Sequence, residues 1–213
     1  NMPGVEGARA FSIANKPSDD TALELHVRRV PEGAGTGYIH EQLKVGDTLQ
    51  VSGPYGQFFT RKSAPEDLIF IAGGSGLSSP QSMVLDLLEH GDSRKITLLQ
   101  GARNLSELYN RELFEQLAEQ HANFTYVPAL DNPLPEDNWG GFSGYVHEAA
   151  IDHFNGRFEG HKAYLCGPPP MIDAAITALM QGRLFERDIF MERFLTAADG
   201  AEGATKSALF KKI

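Results

Sequence analysis

Apolar and polar residues alternate in two stretches of the first third of the chain. One stretch covers residues 21–30, where Leu23, Leu25 and Val27 take every second position, and the other covers residues 48–51. This period of two is typical of half-buried β-strands. A short helix is predicted over 38–43, and residues 53–56 predict a turn. The pattern therefore predicts a β region over residues 1–64.

From about residue 66 onward, short apolar runs alternate with segments of helical periodicity. In the helix predicted to begin at Pro80, Ser78 or Ser79 is expected to be the N-cap and Gly91 to end the helix. A capping box begins at Asn104. Strand–helix alternation of this length predicts an α/β fold with a parallel, doubly wound sheet. The predicted strands are 68–72, 95–99, 123–130, 163–166 and 187–194, and the predicted helices are 80–89, 104–120, 145–154 and 171–180.

Unusual loops follow some of these strands. The glycine-rich loop 73–80 comes after strand 68–72, residues 101–103 after the next strand, and residues 166–170 after a later one. Because the carboxyl ends of parallel strands share one edge, these loops are expected to lie together. A glycine loop before a helix start presents backbone N–H groups to an anion, which predicts a nucleotide diphosphate site. The alternative is a tight turn without a ligand, since Pro80 replaces the third glycine of the common dinucleotide fingerprint.

Composition and charge narrow the class of protein. The chain has 213 residues, 41% of them hydrophobic and 22% charged, and its net charge is −9. Such a charge argues against nucleic acid or an anionic membrane as a partner. The single cysteine, Cys166, excludes a disulfide framework, a cysteine-rich zinc site and a four-cysteine iron–sulfur cluster within these residues, and favours a cytoplasmic setting. No apolar stretch approaches the roughly 18 residues of a membrane span.

Four short motifs occur in order along the chain, at Arg9-Ala10-Phe11-Ser12, 73–80, 166–171 and 192–194. Together they resemble the ferredoxin–NADP reductase superfamily, with its Arg-x-aromatic-Ser flavin motif, pyridine-nucleotide loop, Cys-Gly-Pro-x-x-Met motif and C-terminal Glu-x-aromatic element. The resemblance implies a flavin-binding antiparallel barrel, here partial, over 1–64 and a nucleotide-binding domain over 65–213. Residues 36–43, 53–59, 164–168 and 179–194 further resemble the reductase components of multicomponent phenol hydroxylases. Those reductases carry FAD, oxidise NADH and pass electrons through a [2Fe–2S] cluster to a diiron hydroxylase, the implied partner.

For FAD, the resemblance implies contacts from the first 64 residues. Arg9 would pair with the pyrophosphate, and Ser12 would hydrogen-bond flavin N5, where hydride arrives. Further FAD contacts are implied for Ala10, Phe11, His26, Val27, Arg28, Gly35, Thr36 and Gly37.

For NADH and for the transfer itself, the implied residues lie on the predicted sheet edge. Cys166, with Gly167 and Pro168, would position the nicotinamide over the flavin. Glu192 would steady developing charge, and Phe194 would cover a flavin face. The dinucleotide would be cradled by Gly74, Ser75 and Gly76, with Arg103 near its adenosine end.

The start of the chain departs from this family. Arg9 is preceded by eight residues, where the family has several barrel strands, the first residue is Asn1, and no ferredoxin domain is present. The sequence is therefore expected to be part of a longer chain. Unpaired strand edges would weaken FAD binding, whereas the part from residue 66 onward is expected to fold by itself.

Other classes of function agree less well with these residues. A serine hydrolase with Ser75 as nucleophile would need glycine at position 77, where leucine stands. His147 and His153 are six residues apart, which does not suit one helical metal site. A non-catalytic interaction module remains open, as does a reductase for a ferredoxin, a flavodoxin or a Rieske-type oxygenase. NADH is favoured over NADPH because Glu107 would repel a 2′-phosphate.

Overall fold

A computed structural model describes residues 2–195 of the chain, and all structural statements refer to these residues. The helices and strands in chain order are α1 (Ala34–Glu41), β1 (Asp67–Gly73), α2 (Ser78–Glu89), β2 (Ile96–Ala102), α3 (Arg111–Gln120), β3 (Phe124–Leu130), β4 (Phe142–Ser143), α4 (Val146–His153), β5 (His161–Gly167), α5 (Pro169–Gln181) and β6 (Ile189–Arg193). None of these helices is long and apolar enough to cross a membrane.

The strands form one parallel sheet in the order β4-β3-β2-β1-β5-β6. The chain starts in the middle of the sheet, moves outward through β2 to β4, and then returns to the other side of β1. This order confirms the doubly wound α/β prediction. Register places Gly73 beside Gly101 and Ala72 beside Cys166, so the glycine loop and the Cys166 loop leave the sheet at the same edge, as predicted.

Both faces of the sheet are covered by helices. In β1, Leu68 and Phe70 face a core built with α2 and α3, whereas Ile69 and Ile71 face a core built with α4 and α5. All four side chains are at most 1% exposed. Burial on both faces explains why this strand is a continuous apolar run rather than an alternating one.

The first 66 residues contain less regular structure than their pattern predicts. Within residues 2–66 the structure describes α1 and an isolated antiparallel bridge between Ile13 and Leu25. The predicted strands over 21–30 and 48–51 are therefore wrong as continuous strands. A strand satisfies its backbone groups by pairing with a neighbour, and here a single bridge provides that pairing. Leu23 and Leu25, the apolar positions of the alternation, are 56% and 37% exposed.

Several predicted boundaries also shift. The helix predicted from Asn104 begins at Arg111, because residues Leu105–Glu107 form a separate 3-10 turn and Asn110 adopts a left-handed conformation with φ 57°. The helix predicted over 38–43 is α1, which begins four residues earlier, at Ala34, and ends two residues earlier, at Glu41. Ser78 and Ser79 lie inside α2 rather than capping it with their side chains, while Gly91, with φ 66°, follows the end of this helix as predicted.

Candidate functional site

The glycine loop lies directly against the Cys166 loop at the carboxyl edge of the sheet. Residues Gly74–Leu77 form a 3-10 turn that runs into α2. A Cβ atom on Gly76 would lie 2.3 Å from the carbonyl oxygen of Cys166 and 2.6 Å from the Cα of Gly167. Gly167 has φ +153°, and a Cβ there would meet Met171 at 2.8 Å. These glycines therefore allow two backbone segments to touch where the sequence predicts a dinucleotide.

A polar cluster stands beside this contact and is centred on the carboxylate of Glu192. Its Oε2 atom accepts a hydrogen bond from Ser12 Oγ at 2.9 Å and from Ser79 Oγ at 3.0 Å. The Cys166 thiol lies 3.7 Å from the same oxygen. Cys166 and Glu192 are register partners on β5 and β6, which places both side chains at the edge. The structure therefore brings together Ser12, Cys166 and Glu192, which are up to 180 residues apart in the sequence.

The electrostatics of the cluster keep the Cys166 thiol protonated. Burial raises the pKa of this thiol well above its ordinary value, and the negative charge of Glu192 raises it further, while Ser79 acts in the opposite direction. A protonated thiol donates to the carboxylate and is a poor nucleophile. Cys166 therefore suits a packing and hydrogen-bonding role rather than covalent chemistry.

Phe194, predicted to cover a flavin face, follows β6 directly. Its backbone N–H donates to the carbonyl of Gly167 at 2.9 Å, and its side chain is half-buried. Phe194 thus lies next to the Cys166 loop. Pro168, the next residue of that loop, is exposed and precedes α5.

A second group of predicted residues gathers at the start of α1. Gly35 is buried, and a Cβ atom there would lie 2.9 Å from Cγ of Arg9, so the arginine crosses the first turn of the helix. The guanidinium Nη1 of Arg9 donates to the carbonyls of Glu6 at 2.9 Å, Ala8 at 3.1 Å and Gly7 at 3.4 Å, and the side chain is exposed. The N-cap, Gly33, offers no side-chain cap to this turn. A fixed positive charge beside helix N–H groups favours an anion.

The residues around the start of α1 form hydrogen bonds with one another. Thr36 Oγ1 accepts from the backbone N–H of Val30 at 3.1 Å, and the N–H of Gly37 donates to Gly33 at 2.7 Å. The carbonyl of Val27 contacts the His40 ring at 2.8 Å. Ala10 and Arg28 are exposed and Phe11 is half-buried.

His26 connects this part of the chain to the glycine loop through its side chain. Its Nδ1 lies 3.1 Å from the hydroxyl of Tyr109, and that hydroxyl donates to the carbonyl of Gly74 at 2.9 Å. The two rings meet edge to face at 5.0 Å. On the other side of the ring, Nε2 lies 2.9 Å from a carboxylate oxygen of Glu24. Arg103 is exposed at the end of β2, on the same sheet edge.

Two residues of the site were missed by sequence reasoning. Ser79 has the pattern of a helix N-cap, and Tyr109 precedes a helix without any motif of its own. A signal for Ser79 could have come from its place directly before Pro80 in the nucleotide loop. Among residues 2–195, no group of three or more histidine, cysteine, aspartate or glutamate side chains could hold a metal ion.

Two known domain families match different parts of the chain. Residues 70–177 match the oxidoreductase NAD-binding domain family, and residues 1–60 match the oxidoreductase FAD-binding domain family. The reductase component DmpP of phenol 2-monooxygenase from Pseudomonas sp. (strain CF600) is 70% identical over 212 residues, covering 100% of this chain and 60% of that protein. The phenol hydroxylase P5 protein of Acinetobacter pittii (strain PHEA-2) is 68% identical over 212 residues, with the same coverage of 100% and 60%.

Among solved structures, the Amycolatopsis cytochrome P450 reductase GcoB superimposes with a TM-score of 0.83 and 32% sequence identity, covering 91% of this chain and 58% of that one. The chain therefore spans about 60% of the length of the curated relatives named above.

Proposed function

This chain belongs to the FAD- and NAD-binding oxidoreductases of the ferredoxin reductase family, and we propose that it accepts hydride from NADH on FAD and releases electrons to an oxygenase. The observation that carries the proposal is the cluster on Glu192. Its carboxylate joins Ser12 of the FAD-binding part to Cys166 and Ser79 of the NAD-binding part. A flavin and a nicotinamide that exchange hydride need such a meeting point.

The residues at the start of α1 fit the diphosphate of FAD. Arg9 supplies charge, and the uncapped first turn supplies N–H donors. Because Gly35 has no Cβ atom, the side chain of Arg9 has room to cross the first turn of the helix. Arg9 is thus assigned to the FAD pyrophosphate, and the turn over 34–37 to the phosphate and ribityl groups.

The sheet edge fits NADH. Gly74 has φ +55°, and no atom lies within 4 Å of the place where a Cβ would stand, so the loop can approach a phosphate closely. Gly74, Ser75 and Gly76 are assigned to the dinucleotide phosphates, and Arg103 to the adenosine end. Cys166, Gly167 and Pro168 would form the wall against which the nicotinamide rests.

The hydride chemistry belongs to the two cofactors, and the chain supplies position and charge. Ser12 offers a hydroxyl donor at the flavin. Glu192 holds negative charge at the edge of the sheet, where it favours the positive charge that nicotinamide gains on oxidation. The neutral Cys166 thiol lies beside the Glu192 carboxylate. Phe194 would cover the flavin and limit access of water.

The electron acceptor is proposed from the relatives. We assign this chain to the reductase component of a multicomponent phenol hydroxylase, with a diiron oxygenase as partner. Electrons would reach that partner through a [2Fe–2S] centre outside these residues, since the 213 residues contain one cysteine. The protein is proposed to work in the cytoplasm, where NADH is available and a buried thiol stays reduced.

A steady-state assay tests the proposal. The chain is mixed with added FAD, NADH and ferricyanide as an artificial acceptor, and oxidation of NADH is followed by its absorbance. Turnover is expected to require chain and FAD together and to be faster with NADH than with NADPH. Arg9→Ala should raise the FAD concentration needed for half-maximal turnover, whereas Arg187→Ala, on an exposed turn before β6, should not. A rate equal to that of the protein-free mixture would contradict the proposal.

A further inference from the structure

Ser79 makes a contact that its place in the helix does not require. Serines inside helices often bond back to the preceding turn, and the neighbouring Ser78 does so, donating to the carbonyl of Ser75 at 2.8 Å. Ser79, although it is 9% exposed, donates away from α2 to Oε2 of Glu192 at 3.0 Å. The hydrogen bond spans 113 residues of sequence and joins α2 to β6.

The hydroxyl of Ser12 cannot hold Glu192 and serve the flavin at the same time. A serine hydroxyl has one proton to donate. In the structure Ser12 donates that proton to Glu192. If Ser12 donates to flavin N5, as the proposed function assigns, Glu192 loses this donor. The remaining donors to Oε2 are the Cys166 thiol, which is weak, and the Ser79 hydroxyl.

We propose that Ser79 is the positioning residue that keeps the Glu192 carboxylate against Cys166 when the Ser12 hydroxyl turns to the flavin. This inference rests on the proposed function for its role in catalysis, but the contact itself is a property of the chain. Ser79 acts through Glu192 and touches neither substrate nor flavin in this assignment. Gly74 and Gly76 of the same loop are assigned to the dinucleotide separately.

The single cysteine provides a direct probe of this contact. The S–H stretching band of Cys166 is specific in the infrared spectrum because no other thiol is present, and its frequency reports how strongly the thiol is hydrogen-bonded. The starting protein is a Ser12→Ala chain, in which Glu192 lacks the Ser12 donor just as it would when that hydroxyl turns to the flavin. It is compared with the same chain carrying Ser79→Ala, Glu192→Ala or both, all without added FAD. Ser79→Thr, which keeps the hydroxyl, tests rescue.

A matched control comes from the next turn of the same helix. Ser82 Oγ donates to the backbone carbonyl of Asn15 at 2.8 Å, so Ser82→Ala removes another hydrogen bond between α2 and the FAD-binding part without touching Glu192. Added to the Ser12→Ala chain, it should leave the S–H band unchanged. Urea unfolding of each variant checks that the fold is retained.

We expect Ser79→Ala to move the S–H band toward the position found in Glu192→Ala, and Ser79→Thr to restore it. In the Glu192→Ala background, Ser79→Ala should shift the band less, because the group that Ser79 positions is gone and only the direct effect of Ser79 on the thiol remains. An unchanged band in Ser79→Ala would overturn the proposal. So would an equal shift in both backgrounds, which would mean that Ser79 acts on the thiol directly.

A second readout tests the catalytic consequence in the FAD-loaded chain. Loss of a hydrogen bond to a charged group is expected to slow flavin reduction at saturating NADH by roughly ten-fold in Ser79→Ala, while the apparent dissociation constant for NADH stays within about two-fold. A raised dissociation constant with an unchanged limiting rate would refute the positioning role. If the wild-type chain reduces no flavin at all, the proposed function fails, and the S–H bands still decide whether Ser79 holds Glu192.

Discussion

Replacing Gly76 with alanine places a methyl group against backbone atoms that have little room to move. The new Cβ would lie 2.3 Å from the carbonyl oxygen of Cys166 and 2.6 Å from the Cα of Gly167. The first of these residues sits within β5, whose carbonyls pair with β1 and β6, so the strand cannot withdraw without breaking its ladder. The glycine loop must move instead.

The magnitude follows from overpacking. Forcing one methylene-sized group into a packed site costs about 1–3 kcal/mol, and contact with the backbone of Cys166 and Gly167 argues against the lowest part of that range. A loss of about 2 kcal/mol in a chain of this size lowers Tm by roughly 4–8 °C. Displacement of the loop should also weaken NADH binding at least about ten-fold, since its N–H groups would no longer face the phosphates together.

Thermal unfolding followed by circular dichroism, and NADH binding followed by calorimetry, measure the two effects. Gly140→Ala is the matched control, because a Cβ atom there meets nothing within 4 Å. It should leave both values unchanged. If Gly76→Ala unfolds and binds NADH as the wild type does, the close contact between the glycine loop and the Cys166 loop is not the feature that builds this site.

Further expected outcomes concern other parts of the structure. Tyr109→Phe removes the hydroxyl that bonds to Gly74 and His26, and should lower the free energy of unfolding in urea by about 1–2 kcal/mol; an unchanged value would show that the link contributes nothing. Because the pKa of the Cys166 thiol is raised in the folded chain, the unfolded chain releases this proton first, so the free energy of unfolding should fall by up to about 1.4 kcal/mol per pH unit above roughly pH 8.5. Cys166→Ser should flatten that slope in urea titrations, and an identical slope would contradict the raised pKa. Phe114→Ala, at a fully buried position between α3 and the sheet, should cost about 3–5 kcal/mol in the same assay, and a loss below about 1 kcal/mol would contradict the packing described.

The parallel sheet could be predicted from the sequence because its signal is local and strong. Strand β1 is a short apolar run followed by glycines, and its two-sided burial leaves little choice of residue. The loops at 73–80 and 166–170 could be predicted to share one edge of the sheet because the strands before them run in the same direction. The resemblance to a family implied that Ser12, Cys166 and Glu192 lie near one another. In the structure, Ser12 and Cys166 both contact the same carboxylate oxygen of Glu192.

The features that were missed depend on contacts distant in sequence. Ser79 bonds to a glutamate 113 residues later, and nothing in its own neighbourhood indicates this. Asn104 begins a good capping pattern, yet the helix starts at Arg111. The side chain of Gln100 donates to the backbone carbonyl of Tyr109 at 3.1 Å, and Leu108 is buried just before the helix. Tertiary contacts of this kind override local preferences.

The alternating pattern of residues 21–30 illustrates another limit. Alternation shows that a segment can form a half-buried strand, but a strand also needs a partner at the right register. Here the pairing consists of a single bridge between Leu25 and Ile13. The segment is held by polar contacts instead, with Glu24 accepting from Gln81 on α2 at 3.1 Å.

Anaerobic stopped-flow measurement of flavin reduction tests whether the site around Glu192 serves hydride transfer. The chain is loaded with FAD at several concentrations and mixed with NADH or with NADH deuterated at the transferred position of C4. We expect the flavin absorbance to be lost at a rate that saturates with NADH, slows on deuteration, and falls by roughly ten-fold or more in Glu192→Gln, where the carboxylate charge is gone. A rate that matches free FAD, or one that is the same in Glu192→Gln, would contradict the assignment of this site to hydride transfer.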